Sequence, residues 1–127
     1  MRLLPLTILL AGCAATTADT ETREQRALDE ELAGRTAGEA RACVAIRQGE
    51  PLHIVDQRTL SYRDGHTVWV NRLDHDCGSL RPMNTLIIEA NASQYCRGDK
   101  VRGVESSSSI PGPVCILRDF VPYRKVD

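Results

Sequence analysis

Three consecutive residues, Asp74-His75-Asp76, come closest to a chemical site in this sequence. Two carboxylates and an imidazole are groups that can bind a divalent metal ion. In an extended chain, however, the two aspartates point to one side and the histidine to the other, so only a tight turn would bring all three together. A further ligand would have to come from elsewhere. We therefore expect a polar loop here, with no metal and no cofactor.

The sequence contains none of the common catalytic motifs. A Gly-x-Ser-x-Gly elbow, a phosphate-binding loop and a His-Glu-x-x-His pair are all absent. His53 and His66 stand alone in strand-like segments, and the serine run 106–109 has no identifiable activating base. Because no nucleophile, base and orienting group can be assembled, we predict that the protein is not an enzyme. An envelope enzyme is the least favoured alternative.

The first of the five cysteines follows a short apolar run at the N-terminus. Leu10-Ala11-Gly12-Cys13 resembles the bacterial lipobox, in which the cysteine is lipidated and becomes the mature N-terminus. The resemblance implies a lipoprotein signal peptide over residues 1–12 and an anchor containing palmitate on Cys13. The following Ala14 implies an outer-membrane location, at the periplasmic face. The alternative is an ordinary secretory signal with an incidental cysteine.

The four remaining cysteines are an even set in a small exported domain, which predicts two disulfides. Four cysteines allow three connectivities, and the sequence alone does not decide between them. Cys43 and Cys115 lie near the two ends of the domain, and the chain ends of small barrels often meet. Cys77 and Cys96 lie in loops on either side of one strand. We therefore favour the nested pairs Cys43–Cys115 and Cys77–Cys96.

Charge excludes some classes of partner. The chain has 16 basic and 17 acidic residues, a formal net charge of −1, which gives no indication of nucleic-acid binding. Residues 43–127 nevertheless contain far more arginines than lysines. Arginine is favoured where carboxylate or phosphate is bound in a bidentate way, so some of these side chains could face anionic envelope components. The alternative is that they only keep the strands soluble.

The element that organises the domain is a hairpin over residues 59–71. Asp64-Gly65 lies between two strand-like runs and predicts a two-residue turn. Tyr62 would then face Thr67. Leu60, Tyr62 and Trp69 would share one face and Val68 and Val70 the other, so both faces need a covering layer.

Residues 13–42 predict a helical or flexible tether. Thr22 with Gln25 fits a capping box, and a helix could run from residue 23 to 33. Leu28 and Leu32 form a stripe too narrow to require burial, so we expect this segment to be solvated.

Residues 43–127 show six or seven short strands separated by turn residues, with no good helix. This pattern predicts an all-β domain, a small antiparallel barrel or sandwich stapled by disulfides. Several stretches of it resemble an uncharacterised family of small exported bacterial proteins, a domain of unknown function that implies no activity. They are Cys43-Val44, Val55-Asp56-x-Arg58-Thr59-Leu60, Val70-Asn71-Arg72-Leu73, Cys77-Gly78-x-Leu80, Cys96-x-Gly98-Asp99 and Cys115-x-Leu117.

We expect a non-enzymatic lipoprotein that binds an unidentified envelope macromolecule through its loops. Residues 73–84 and 105–113 are long loops for so small a domain, and such loops are often functional. The candidate binding residues are Arg72, His75, Asp76 and Arg81, whose polar groups should be exposed near Cys77. An alternative is a lysozyme inhibitor, because small disulfide-bonded lipoproteins that insert a protruding loop into lysozyme are similar in size and anchoring. The sequence does not indicate the oligomeric state.

Overall fold

A computed structural model describes Gly12, residues 21–90 and residues 93–126. Within these residues one helix and ten strands are present, and no helix is long and apolar enough to span a membrane. Their bounds are α1 Arg23–Leu32, β1 Arg35–Ala37, β2 Cys43–Ala45, β3 His53–Asp56, β4 Thr59–Asp64, β5 Thr67–Arg72, β6 Thr85–Glu89, β7 Gln94–Cys96, β8 Lys100–Val104, β9 Cys115–Ile116 and β10 Phe120–Lys125. The predicted lipidation site, Cys13, lies outside the described residues. The predicted signal peptide does too, apart from Gly12.

The strands form three antiparallel sheets. The largest has the order β1-β10-β5-β4-β3, and the smaller ones are β2-β7 and β6-β8-β9. The all-β prediction is confirmed, and the arrangement is sandwich-like and not a closed barrel. The described residues contain more strands than the six or seven expected. Two of them, β1 and β7, have only three residues each; β1 falls in the segment that the sequence analysis assigned to the tether, and the short β7 has no clear strand pattern in the sequence.

The central hairpin forms, but its turn lies one residue further along than predicted. Asp64 pairs with Thr67, so Gly65 and His66 form the loop. Gly65 has φ 59°, and primed hairpin turns require a positive φ at this first loop position. The predicted pairing of Tyr62 with Thr67 is therefore wrong, and Tyr62 faces Trp69.

The predicted faces of the hairpin are nevertheless correct. Moving the turn by one residue shifts the register by two, an even number, which leaves each side chain on its original face. Leu60, Tyr62 and Trp69 belong to the larger hydrophobic cluster, whereas Val68 and Val70 belong to a second one. The larger cluster joins all three sheets. Its members are Val44, Leu52, Ile54, Leu60, Tyr62, Trp69, Leu73, Cys77, Leu80, Tyr95, Val101, Leu117 and Phe120.

Helix α1 covers the face of the large sheet that carries Val68 and Val70, opposite the larger hydrophobic cluster. Thr22 caps it as predicted, since the Gln25 backbone N–H donates to the Thr22 hydroxyl at 2.9 Å. The prediction that the Leu28 stripe stays solvated is wrong, because Leu28 is 1% exposed and packs with Val68 and Val70. Leu28 and half-buried Leu32 of the helix supply the covering layer that the two valines need. Strand β1 continues from the helix onto the edge of the large sheet.

All four described cysteines are paired, which confirms the two disulfides, but the nested connectivity is wrong. The bonds are Cys43–Cys96 and Cys77–Cys115. The two ends of the domain do meet, at a bridge between Arg41 and Phe120. Cys43, however, lies directly opposite Cys96 in the β2-β7 pair, a pairing that could not be predicted without recognising β7 as a strand.

Candidate binding cleft

Loop 73–84 is irregular, as predicted, but it is fixed to the core. Leu73, Cys77, Ser79 and Leu80 are all less than a tenth exposed, and the disulfide to Cys115 holds the loop to β9. Such a loop loses little conformational freedom when a ligand binds beside it. Buried Leu73, Cys77 and Leu80 hold the first two thirds of the loop against the domain, whereas Met83 near its end is 87% exposed.

Ser79 connects this loop to β8 and to loop 105–113. Its hydroxyl accepts a hydrogen bond from the Gly103 N–H at 3.0 Å and donates to the Pro113 carbonyl at 3.3 Å. Its own carbonyl accepts from the Asn84 side-chain amide at 2.8 Å. A Cβ at Gly103 would lie 1.9 Å from the Ser79 carbonyl oxygen. Only glycine at position 103 therefore permits this approach.

The other end of the loop is attached to the β3-β4 turn. The Leu73 and Cys77 N–H groups donate to the carbonyls of Arg58 and Gln57, at 2.8 and 2.7 Å. The Arg58 guanidinium donates in return to the carbonyls of Leu73 and Asp74, at 2.9 and 2.8 Å. The loop and the turn are thus hydrogen-bonded in both directions and form one rigid wall.

An open cleft of about 1150 Å³ lies beside this wall. Three segments distant in sequence contribute to it, namely the start of α1, the β3-β4 turn and loop 73–84. The lining residues are Thr22, Gln25, Asp56, Gln57, Arg58, Thr59, Arg72, Asp76, Leu80, Arg81 and Pro82. Buried Thr59 and Leu80 contribute to the lining, while exposed arginines stand at its edge.

Three of the four candidate binding residues come together at this cleft. Arg72, Asp76 and Arg81 line it, and His75 does not. His75 lines a smaller cavity of about 450 Å³ beside the Cys77–Cys115 disulfide, together with Asp76. All four side chains are exposed, in agreement with the expectation that their polar groups reach solvent.

The cleft has an excess of positive charge. Its lining contains three arginines and two aspartates, a formal excess of one positive charge. Within the described residues, Arg72 and Arg81 have no carboxylate within ion-pair distance, whereas the arginines outside the cleft include four that do. The Arg58 guanidinium donates to the carbonyls of Leu73 and Asp74 and forms no ion pair with a carboxylate of the described residues. An anionic group is therefore the ligand chemistry that this cleft favours.

All three residues of the Asp74-His75-Asp76 segment line the smaller cavity, and Asp76 alone of the three also lines the larger cleft. Asp74 forms an ion pair with Arg118 at 3.0 Å, which directs its carboxylate away from the cleft. In residues 21–90 and 93–126, no three His, Cys, Asp or Glu side chains are placed to hold a metal ion.

Loop 105–113, the second loop considered for binding, is also irregular, as predicted. It packs beside Ser79 on the far side of loop 73–84, and the described residues that line the cleft include none from it. Its Ile110 side chain is 77% exposed. The two loops meet at Ser79, where they line a shared cavity of about 380 Å³, but only loop 73–84 reaches the larger cleft.

The sequence analysis missed half of the cleft. Thr22 and Gln25 were assigned to the tether, and Asp56 and Arg58 were not among the candidate binding residues, although Asp56 and Arg58 belong to one of the stretches that resemble the uncharacterised family. Asp56 was the one local signal for this second wall, since an aspartate favours a turn and its carboxylate here accepts a hydrogen bond from the Arg58 N–H at 2.8 Å. The packing of α1 had no comparable signal.

No protein-family model, no curated protein and no solved structure matches the chain. The resemblance to an uncharacterised family of small exported proteins stays a prediction, and no residue role is taken from any relative.

Proposed function

We propose that the protein is a lipid-anchored protein of the bacterial outer membrane that binds an anionic group of an envelope macromolecule in the cleft beside loop 73–84. The binding is non-catalytic. The observation that carries the proposal is the pair of exposed arginines, Arg72 and Arg81, on either side of Cys77, whose disulfide holds loop 73–84 to the core. A fixed backbone with unpaired guanidinium groups is suited to recognise carboxylate or phosphate.

The anchor would keep the cleft close to the membrane. Thr22, which lines the cleft, follows the proposed lipidated Cys13 by nine residues. An extended segment of that length spans at most about 30 Å. Two disulfides are consistent with an oxidising, exported compartment.

The anchor is tested with labelled palmitate in a Gram-negative host. The wild-type chain should incorporate the label and partition into detergent, and Cys13→Ser should lose both properties. A Cys13→Ser variant that remained equally membrane-bound would contradict the lipid anchor while leaving the cleft untested.

The cleft is tested by crosslinking in intact envelopes followed by affinity capture. We expect alanine at Arg72, His75, Asp76 and Arg81 together to abolish recovery of the partner. The control carries alanine at four exposed residues of the same overall charge elsewhere on the surface, Arg41, Gln48, Glu50 and Lys125. Equal recovery by both variants, with both folded, would show that the cleft is the wrong surface.

A lysozyme assay on the same preparations separates the alternative of an inhibitor. Exposed Ile110 on loop 105–113 is the observation that favours this alternative, because an inserting loop must present a side chain away from the core. Inhibition of lysozyme that is lost on Ile110→Ser, but not on substitution in the cleft, would support the inhibitor.

A further inference from the structure

Strand β6 is an edge strand of the β6-β8-β9 sheet, and its free edge is apolar. The outward-facing row of β6 is exposed, with Ile87 41% accessible. Leu86 and Ile88, which face the core, are only half-buried, although Val101 beside them on β8 is 1% exposed. Leu86 and Ile88 are partly open because no neighbouring strand among the described residues covers this edge, and Ile87 is exposed on the outer face of the sheet.

The other sheet edges in the described part of the chain are protected. Strand β1 has three residues, β9 has two, and β3 is interrupted by an irregularity between Ile54 and Asp56. Strands β2 and β7 have three residues each and are joined to each other by the Cys43–Cys96 disulfide. Short length and bulges are the usual devices that prevent edge-to-edge pairing. Strand β6 has five residues in an unbroken ladder and carries no proline, no lysine and no bulge.

We infer that β6 is a self-association surface, which pairs antiparallel with β6 of a second copy of this chain on a two-fold axis at Ile87. Ile87 then faces its own copy, Leu86 faces Ile88, and Thr85 faces Glu89. A two-fold interface must be complementary to itself in this way. No like charges lie opposite each other in this register, and the Thr85 hydroxyl can donate a hydrogen bond to the Glu89 carboxylate.

Pairing of the two copies joins two three-stranded sheets into one of six strands. The free backbone groups of β6 become hydrogen-bonded, Leu86 and Ile88 are covered further at the new strand pair, and the two copies of Ile87 pack against each other on the outer face. This inference depends neither on the anchor nor on the cleft, because β6 contributes no residue to the cleft lining.

The association is tested by analytical ultracentrifugation of the full chain carrying Cys13→Ser, over a wide range of concentration. We expect a reversible dimer. Ile87→Glu should raise the dimer dissociation constant by roughly tenfold or more, since two carboxylates would meet on the axis. The isolated fold should tolerate this change, because Arg102 lies opposite residue 87 within the sheet.

The matched control is Ile116→Glu on β9. Ile116 is 48% exposed and lies opposite Lys100, so the change places an equivalent carboxylate beside a basic neighbour at the other edge of the same sheet. The dimer should survive it. A wild-type chain that is monomeric at all concentrations, or equal dissociation by the two variants, would overturn the inference.

Cysteine substitution tests the register. Opposed residues in an antiparallel pair have Cα atoms about 4.5–5.5 Å apart, which is within disulfide range, so Ile87→Cys should form a disulfide-linked dimer on a non-reducing gel. Thr85→Cys should not, because the two copies of residue 85 would be about 13 Å apart along the strands. Equal crosslinking by both variants would overturn the proposed register.

Discussion

The contact between Ser79 and Gly103 is the residue-scale feature on which the shape of loop 73–84 depends. Gly103→Ala would place a methyl group against the Ser79 carbonyl, which belongs to the backbone and cannot rotate away. We expect the free energy of unfolding to fall by about 3 kcal/mol, measured by urea denaturation.

Gly78→Ala is the control for that substitution. Nothing lies within 4 Å of a Cβ added at Gly78, and its φ is not positive. Its effect should stay within about 0.5 kcal/mol. Similar losses in the two variants would mean that the close approach of Ser79 does not determine stability.

Glu31 and Arg63 form a bidentate ion pair that connects α1 to β4. Both guanidinium contacts reach the carboxylate, one of them from Arg63 Nε at 2.7 Å. The hydrogen bond from Arg63 lowers the pKa of the Glu31 carboxyl below its ordinary value of 4.5, against the opposing effect of burial. The same contact raises the pKa of Arg63.

Because of this ion pair, we expect the stability difference between the wild-type chain and Glu31→Gln to depend on pH. Because the folded state lowers the pKa of Glu31, its contribution is present above about pH 4.5 and disappears as the pH falls through the lowered value. Glu31→Gln should therefore cost about 0.5–1 kcal/mol at neutral pH and almost nothing in strong acid. Urea denaturation across this range checks the prediction. Glu30→Gln, at an exposed position on the same helix, is the control; an equal pH dependence in both variants would rule out the pair as its source.

At the scale of elements, hairpin patterning was predictable and helix packing was not. Alternation fixes which residues share a face, so Tyr62 and Trp69 were placed together although the turn lay one residue away from its predicted position. The need to cover Val68 and Val70 was also visible. What the sequence did not reveal was that Leu28, on a mostly polar helix, would meet that need, because the contact joins residues about forty positions apart.

The two disulfides should stabilise the folded protein by similar amounts but should differ in their effect on partner capture. They close separations of 53 and 38 residues, and the chain-entropy model gives each a contribution of about 4 kcal/mol. Serine at Cys77 and Cys115 should also weaken partner capture, because it releases loop 73–84. Serine at Cys43 and Cys96 should leave capture unchanged in the folded fraction. Unfolding curves and envelope crosslinking measure the two effects, and equal loss of capture would contradict a special role for the pinned loop.

At the scale of the whole molecule, the candidate site was predictable only where it is local in sequence. Arg72, Asp76 and Arg81 lie within five residues of Cys77, in or beside a loop that is long for so small a domain, and such loops are often functional. Thr22, Asp56 and the turn that carries Arg58 reach the same cleft through tertiary packing, for which a single sequence gives no signal. The net charge of −1 likewise conceals a local excess of positive charge, because the acidic residues concentrate elsewhere.

The most direct test of the account is charge reversal at the cleft, with capture from crosslinked envelopes measured at increasing salt. Arg72→Glu combined with Arg81→Glu should lower recovery of the partner by at least about tenfold. Arg72→Lys with Arg81→Lys should give a smaller loss, because the charge remains but the planar, bidentate geometry of the guanidinium groups is removed. Recovery by the wild-type protein should decrease as salt screens the exposed guanidinium groups. Undiminished capture of the same partner by the folded glutamate variant would contradict the proposal that this cleft binds an anionic group.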